Sequence, residues 1–167
     1  MALPVKRGSA GWLAYSALLL SLSLLLSYVE SLVPLSFALP GMKLGLANVV
    51  IMLAFFHLGK STGVMISVLR VLLLSFLFGT VASFLFSLFG ALFSLVGLFL
   101  LSPGAHLGRI GISVGCAALH NVGQLVASAL LYGSAVFSYL PVLLLAALVF
   151  GTVCGVLLYT CEMLLPL

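Results

Sequence analysis

The residues of this sequence that can do chemistry are the few polar side chains that interrupt its long apolar runs. Arg70 lies inside one run, and a second run carries His120, Asn121 and Gln124. Counted from Ala117, the last three follow at offsets of 3, 4 and 7. This is the spacing of a single face of an α-helix. Such a face can bind a ligand or join neighbouring helices by hydrogen bonds.

The composition requires lipid as the solvent for most of the surface. Of 167 residues, 65% are hydrophobic and only 5% are charged, whereas soluble domains carry about a quarter charged residues. The length is that of one domain. No Asp occurs, and the only acids are Glu30 and Glu162. The net charge of +4 is too small and scattered to indicate nucleic-acid binding.

Six apolar segments are predicted to form membrane-spanning α-helices. They cover about residues 13–33, 44–58, 62–78, 81–101, 110–132 and 140–159. A span needs about 20 mostly apolar residues, so the second segment is short. The first is longer than the apolar part of a signal peptide, and we expect it to be retained. Long continuous runs exclude a β-barrel. We therefore predict an all-α, polytopic membrane protein, with residues 1–167 as one membrane domain.

The loop charges predict the orientation. An even number of spans places Lys6, Arg7, Lys60 and Arg109 on one side and Lys43 alone on the other. Because basic loops stay in the cytoplasm, we expect both termini to be cytoplasmic. His57 and His106, also on the inner side, are expected to be topology determinants or lipid-headgroup contacts. Glu162, near the C-terminus, is expected to be exposed.

Polar residues within spans are costly and are therefore informative. Arg70 lies near the middle of the third span, where an arginine costs about 2.5–3.5 kcal/mol on insertion scales. We predict a polar cavity open to the outside, in which Arg70 or Lys43 holds an anionic group. The predicted substrate-binding residues are Glu30, Lys43, Asn48, Arg70, His120, Asn121 and Gln124. The alternative is an internal Glu30–Arg70 ion pair with an interhelical network that only stabilises the bundle.

Several chemistries lack their residues. The sequence has no P-loop and no HExxH motif, so it cannot use ATP or hold a catalytic zinc by those means. Without Asp it cannot form a Ser-His-Asp triad or an Asp-rich Mg²⁺ site for diphosphates. The three cysteines lie in apolar segments without metal spacing. We predict no catalytic residues, no metal and no cofactor.

Small residues four positions apart predict close helix packing. The pairs are Gly41/Gly45, Gly111/Gly115, Gly151/Gly155 and the similar Ala10/Ala14. In lipid, such pairs let helix backbones approach one another. We expect most of them to pack helices within the bundle.

Three motifs resemble one bacterial family. They are YVESLVPLSFALPGMKLGLANVV at residues 28–50, LRVLLLSFLFGTVASFLFSLFGAL at 69–92 and ALHNVGQLVASALL at 118–131. The sequence thus resembles heptaprenyl diphosphate synthase component I, also called the Gx transporter family, over nearly its whole length. That family in turn resembles the substrate-binding S components of energy-coupling factor (ECF) transporters, which are six-helix proteins of bacterial cell membranes.

The resemblance to S components implies a function and partners. It implies a ligand site near the outer face, capped by residues 34–43, and work with a transmembrane T component and two ATPases. It also implies that Ala10 and Ala14 on the first helix dock a partner. The family name implies an alternative, a non-catalytic membrane accessory of polyprenyl or quinone synthesis. A structural subunit of a larger complex is a third interpretation.

Overall fold

The computed structural model describes residues 7–32, 45–78, 80–102 and 107–164, and these are helical almost throughout. The helices are α1 Ala10–Leu32, α2 Leu46–His57, α3 Lys60–Phe78, α4 Val81–Leu101, α5 Arg109–Tyr132 and α6 Leu140–Leu164. A 3-10 helix, Ser134–Tyr139, joins α5 to α6. The predicted all-α membrane class is confirmed. Among the described residues, five helices are long and apolar enough to cross a membrane, and α2 is a shorter apolar helix.

The short helix α2 forms the centre of the bundle. Nine of its 12 residues are buried, and it packs against α1, α3 and α6. A helix that is apolar on all sides is stable only when other elements surround it. Twelve residues rise about 18 Å, well below the roughly 30 Å of a bilayer core. α2 is therefore too short to cross the bilayer by itself, and most of its residues are buried against α1, α3 and α6.

Partners from α1 and α6 hold the first turn of α2. The backbone N–H of Leu46 donates to Glu30 Oε1 at 2.9 Å. The first N–H groups of a helix lack partners within the helix and favour a negative charge. The Cys154 thiol contacts the Gly45 carbonyl oxygen at 3.6 Å. Glu30 thus caps α2 from the far end of α1.

The other end of α2 is held by the second acid, which corrects two expectations. Glu162 is 16% exposed, and its carboxylate lies 3.2 Å from His57 Nε2 and accepts from Arg109 Nε at 2.9 Å. His57 is buried, and the Arg109 guanidinium stacks 3.9 Å from the Phe56 ring centre. Neither Glu162 nor His57 is the solvent-facing residue that the sequence suggested, because α6 continues to Leu164 and reaches α2 and α5.

Glycines set the distance of α5 from its two neighbours. A β-carbon on Gly151 or Gly155 of α6 would lie 2.7 Å or 2.6 Å from α5 backbone atoms. On the other side, a β-carbon on Gly123 would lie 2.5 Å from the Phe89 carbonyl oxygen of α4. The Gly151/Gly155 pair packs α6 on α5 as expected. A β-carbon on Gly111 or Gly115 would meet only the leucine side chains of residues 107 and 101.

Two predicted breaks differ from the structure. The gap predicted between the second and third spans consists of Leu58 and Gly59, and only glycine readily adopts the φ of 103° found at Gly59. The segment 133–139, predicted as a loop, contains the 3-10 helix after Gly133. The residues 34–43 and Gly41 of the first glycine pair lie outside the described residues.

We expect Gly151→Ala to destabilise the protein by about 1–3 kcal/mol, because the new methyl group meets the Val114 backbone and overpacks the α5–α6 contact. Gly111→Ala is the matched control, since its methyl would meet only the flexible Leu107 side chain. Thermal unfolding in detergent measures both. Equal melting temperatures for the two variants would contradict the close backbone contact.

We expect Glu162→Ala to destabilise the protein by about 1–3 kcal/mol, because His57 and Arg109 lose their shared acceptor. Met163→Ala, next to it and 68% exposed, is the control and should leave stability unchanged. Denaturant unfolding in detergent is the measurement. An unchanged unfolding midpoint for Glu162→Ala would show that the three-residue contact does not stabilise α2.

Candidate functional site

The polar face of α5 is buried inside the bundle. Its members are 3–6% exposed, and they are His120, Asn121, Gln124 and Ser128. The face turns inward because exposing these polar side chains to the surrounding lipid would cost free energy. The face begins near mid-helix and runs toward the Tyr132 end.

Three of the predicted residues surround one cleft between α2, α5 and α6. Asn48, His120 and Asn121 line it together with small residues of α6. Its volume is about 10 Å³, which is room for about one water molecule. The Asn121 amide nitrogen donates to the Leu143 carbonyl oxygen of α6 at 2.8 Å. Asn121 is therefore at least partly structural, as the alternative interpretation proposed.

The His120 ring fits against a glycine of α4. A β-carbon on Gly90 would lie 2.6–2.9 Å from three atoms of the ring. No larger residue leaves room for the imidazole at this place. The close contact fixes the ring between α4 and α5, on the polar face, and restricts its rotation.

Gln124 differs from its neighbours on this face. It is 3% exposed, and neither its amide oxygen nor its amide nitrogen has a hydrogen-bond partner in the described segments. An amide offers one acceptor and two donor hydrogens. Leaving such a group buried and unsatisfied costs about 1–3 kcal/mol. This amide therefore has its full hydrogen-bonding capacity available for another molecule.

Arg70 lies at the middle of α3 and is 6% exposed. The Glu30 carboxylate lies within electrostatic range of it. Two ion pairs among the described residues involve Glu162, with His57 and with Arg109. On α1, Ser16 and Ser23 are also buried. The guanidinium is thus buried and within electrostatic range of an acid.

A larger cavity lies where α5, the 3-10 helix and α6 meet. Its volume is about 590 Å³. The described residues that line it are Leu125, Ser128, Tyr132, Ala135, Val136, Ser138, Tyr139 and Leu143. The sequence did not predict this cavity, because residues 133–139 fall between the fifth and sixth predicted spans. Ser128, which continues the α5 polar face by one turn beyond Gln124, was the signal that leads to it.

The remaining predicted residues are placed as follows. Lys43 and the segment 34–43 lie outside the described residues. Ala10 and Ala14 are both exposed on the first turns of α1. Within the described segments, no group of three or more His, Cys, Asp or Glu residues is arranged to hold a metal ion.

Comparison with known proteins identifies the family. The family model described as heptaprenyl diphosphate synthase component I matches residues 19–161. The chain belongs to this family. The match to heptaprenyl diphosphate synthase component I runs from the middle of α1 to near the end of α6, so it includes Arg70 and the polar face of α5. No curated protein and no solved structure matches the chain.

Two substitutions on α5 distinguish a ligand-binding amide from a structural one. We expect Gln124→Leu to raise the stability of the ligand-free protein by up to about 1–3 kcal/mol, because it removes an unsatisfied buried amide. Asn121→Leu, about one turn earlier on the same face, should lower stability by about 1 kcal/mol, because it removes the hydrogen bond to the Leu143 carbonyl oxygen. Melting temperatures in detergent give both signs. A loss of stability in Gln124→Leu would mean that Gln124 belongs to the interhelical network.

Proposed function

We propose that this protein is a membrane-embedded, substrate-binding subunit of a transporter, similar to an ECF S component. The observation that carries the proposal is the buried amide of Gln124 on the polar face of α5, which has no hydrogen-bond partner in the part of the chain that the structure describes. A protein surrounded by lipid keeps such a group only at a cost in stability. A ligand that hydrogen-bonds to the amide would offset that cost.

The proposed ligand is a small molecule with an anionic group. In this proposal Arg70 and Lys43 contact the anion, and His120, Asn121 and Gln124 provide directed hydrogen bonds. Burial of Arg70 in mid-helix supports this role, since intramembrane ionisable residues commonly mark substrate pathways. Glu30 and Asn48, close to the start of α2, complete the proposed site. Binding takes place at the α2 N-terminal end of the bundle, and residues 34–43 close over the ligand.

Transport in this proposal depends on partner proteins. The sequence has no P-loop, so energy is supplied by two ATPases through a transmembrane T component. Ala10 and Ala14 lie exposed on α1 and offer a small-residue surface for docking. No substrate conversion is proposed, and the subunit is not an enzyme.

The proposed location is the cytoplasmic membrane of a bacterium, with both termini in the cytoplasm. Three contacts lie at one end of the bundle: Trp12 donates to Thr62, the Lys60 ammonium lies over the Phe99 ring, and Arg109 donates to Glu162. Two basic residues therefore gather at one end, which the positive-inside rule assigns to the cytoplasm.

The family description favours a second candidate function. In that alternative the chain is a non-catalytic membrane component that works with a polyprenyl diphosphate synthase subunit. Affinity purification from the native membrane separates the two functions. Recovery of a T component and ATPases supports transport, and recovery of a prenyl synthase subunit without them supports the accessory role.

We expect Arg70→Ala to abolish ligand binding and to leave membrane insertion intact. The measurement is mass spectrometry of small molecules that the purified protein retains. Lys60→Ala is the control, because Lys60 is exposed at the first position of α3, and this variant should retain the ligand. Ligand retention by Arg70→Ala at the wild-type level would remove Arg70 from the site.

A further inference from the structure

We propose that the cavity between α5, the 3-10 helix and α6 binds an uncharged amphiphile, a lipid with one alkyl chain and a hydroxyl head. The cavity is distinct from the proposed anion site, since Arg70 and His120 are not among the described residues that line it. The proposal therefore does not rest on the transport function. It assigns a second ligand of a different chemical class.

The floor of the cavity is apolar. Leu125 and Leu143 are 4% and 6% exposed and belong to one small hydrophobic cluster with Val136 and Leu140. The volume of about 590 Å³ lies within the 300–1,000 Å³ of typical small-molecule sites. These surfaces favour an alkyl chain.

A buried hydroxyl group provides the polar contact. Ser128 is 5% exposed and its side chain lines the cavity. The Ser138 hydroxyl already donates to the Ala135 carbonyl oxygen at 2.8 Å, so it can only accept from a ligand. Ser128 can both donate and accept, which matches an alcohol.

The lining selects against a charged head. The described residues around the cavity include no acidic or basic side chain. An ion moved into such a place from water would lose its hydration without a counter-charge. An uncharged head is therefore favoured over a phosphate or a carboxylate.

Two tyrosines indicate that the ligand enters from the bilayer. Tyr132 and Tyr139 line the cavity and remain 61% and 43% exposed. They lie where α5 ends and α6 begins, and tyrosine is enriched where membrane meets water. A lipid whose hydroxyl lies at this depth can move sideways into the cavity without leaving the membrane.

Photolabelling tests the proposal. The protein is placed in lipid nanodiscs with a long-chain alcohol that carries a diazirine in its alkyl chain, and labelled peptides are mapped after irradiation. We expect saturable labelling within residues 125–143, reduced at least tenfold by excess unlabelled alcohol. The carboxylate of the same chain length should compete poorly. Labelling that does not saturate, or equal competition by the carboxylate, overturns the proposal.

Variants locate the labelled site. Ala135→Trp fills the cavity from its exposed rim and should abolish labelling, whereas Ser134→Trp, on the same 3-10 helix but outside the lining, should not. Ser128→Ala removes one hydrogen bond and should weaken labelling about fivefold. Arg70→Ala should label normally. Wild-type labelling in both Ala135→Trp and Ser128→Ala contradicts the proposal.

Discussion

The structure depends on one constraint, which is that α2 is too short to cross a bilayer and is buried at the centre of the helix bundle. A helix of 12 residues is too short to place both ends in water. Its terminal N–H and C=O groups need partners that lipid lacks. The chain has two acidic residues, and each one serves an end of this helix. Glu30 binds its first turn, and Glu162 contacts His57 at its last.

The arrangement of α5 follows from this buried centre. α2 packs on α6, and glycines of α6 and α4 hold α5 close on both sides. α5 consequently turns its polar face inward, where Asn121 bonds to α6 and His120 fits beside Gly90. Gln124 stays unpartnered among the described residues, between these structural contacts and the cavity at the helix end. Stability and binding thus use neighbouring positions on one helix face.

The sequence predicted most of the helices because hydropathy and length determine spans in lipid. The boundaries of α4 agree in full, and the polar face of α5 is buried as its spacing indicated. The roles of Glu162 and His57 could not be predicted, because they depend on contacts between residues 105 positions apart. The larger cavity was also missed, since a short 3-10 helix has no periodic hydrophobic signal. The apolar sequence of α2 indicated that the helix is buried. Its position at the centre of the bundle could not be predicted, because that position depends on tertiary packing.

The length of α2 has a consequence for how the protein is made. During synthesis the helices enter the bilayer in chain order, and a segment this short gains little insertion free energy from lipid alone. α2 emerges early, whereas the α6 carboxylate that binds His57 comes from the last of the described helices. Until then the C-terminal end of α2 lacks that partner. The described packing around α2 is therefore complete only once α6 has joined the bundle.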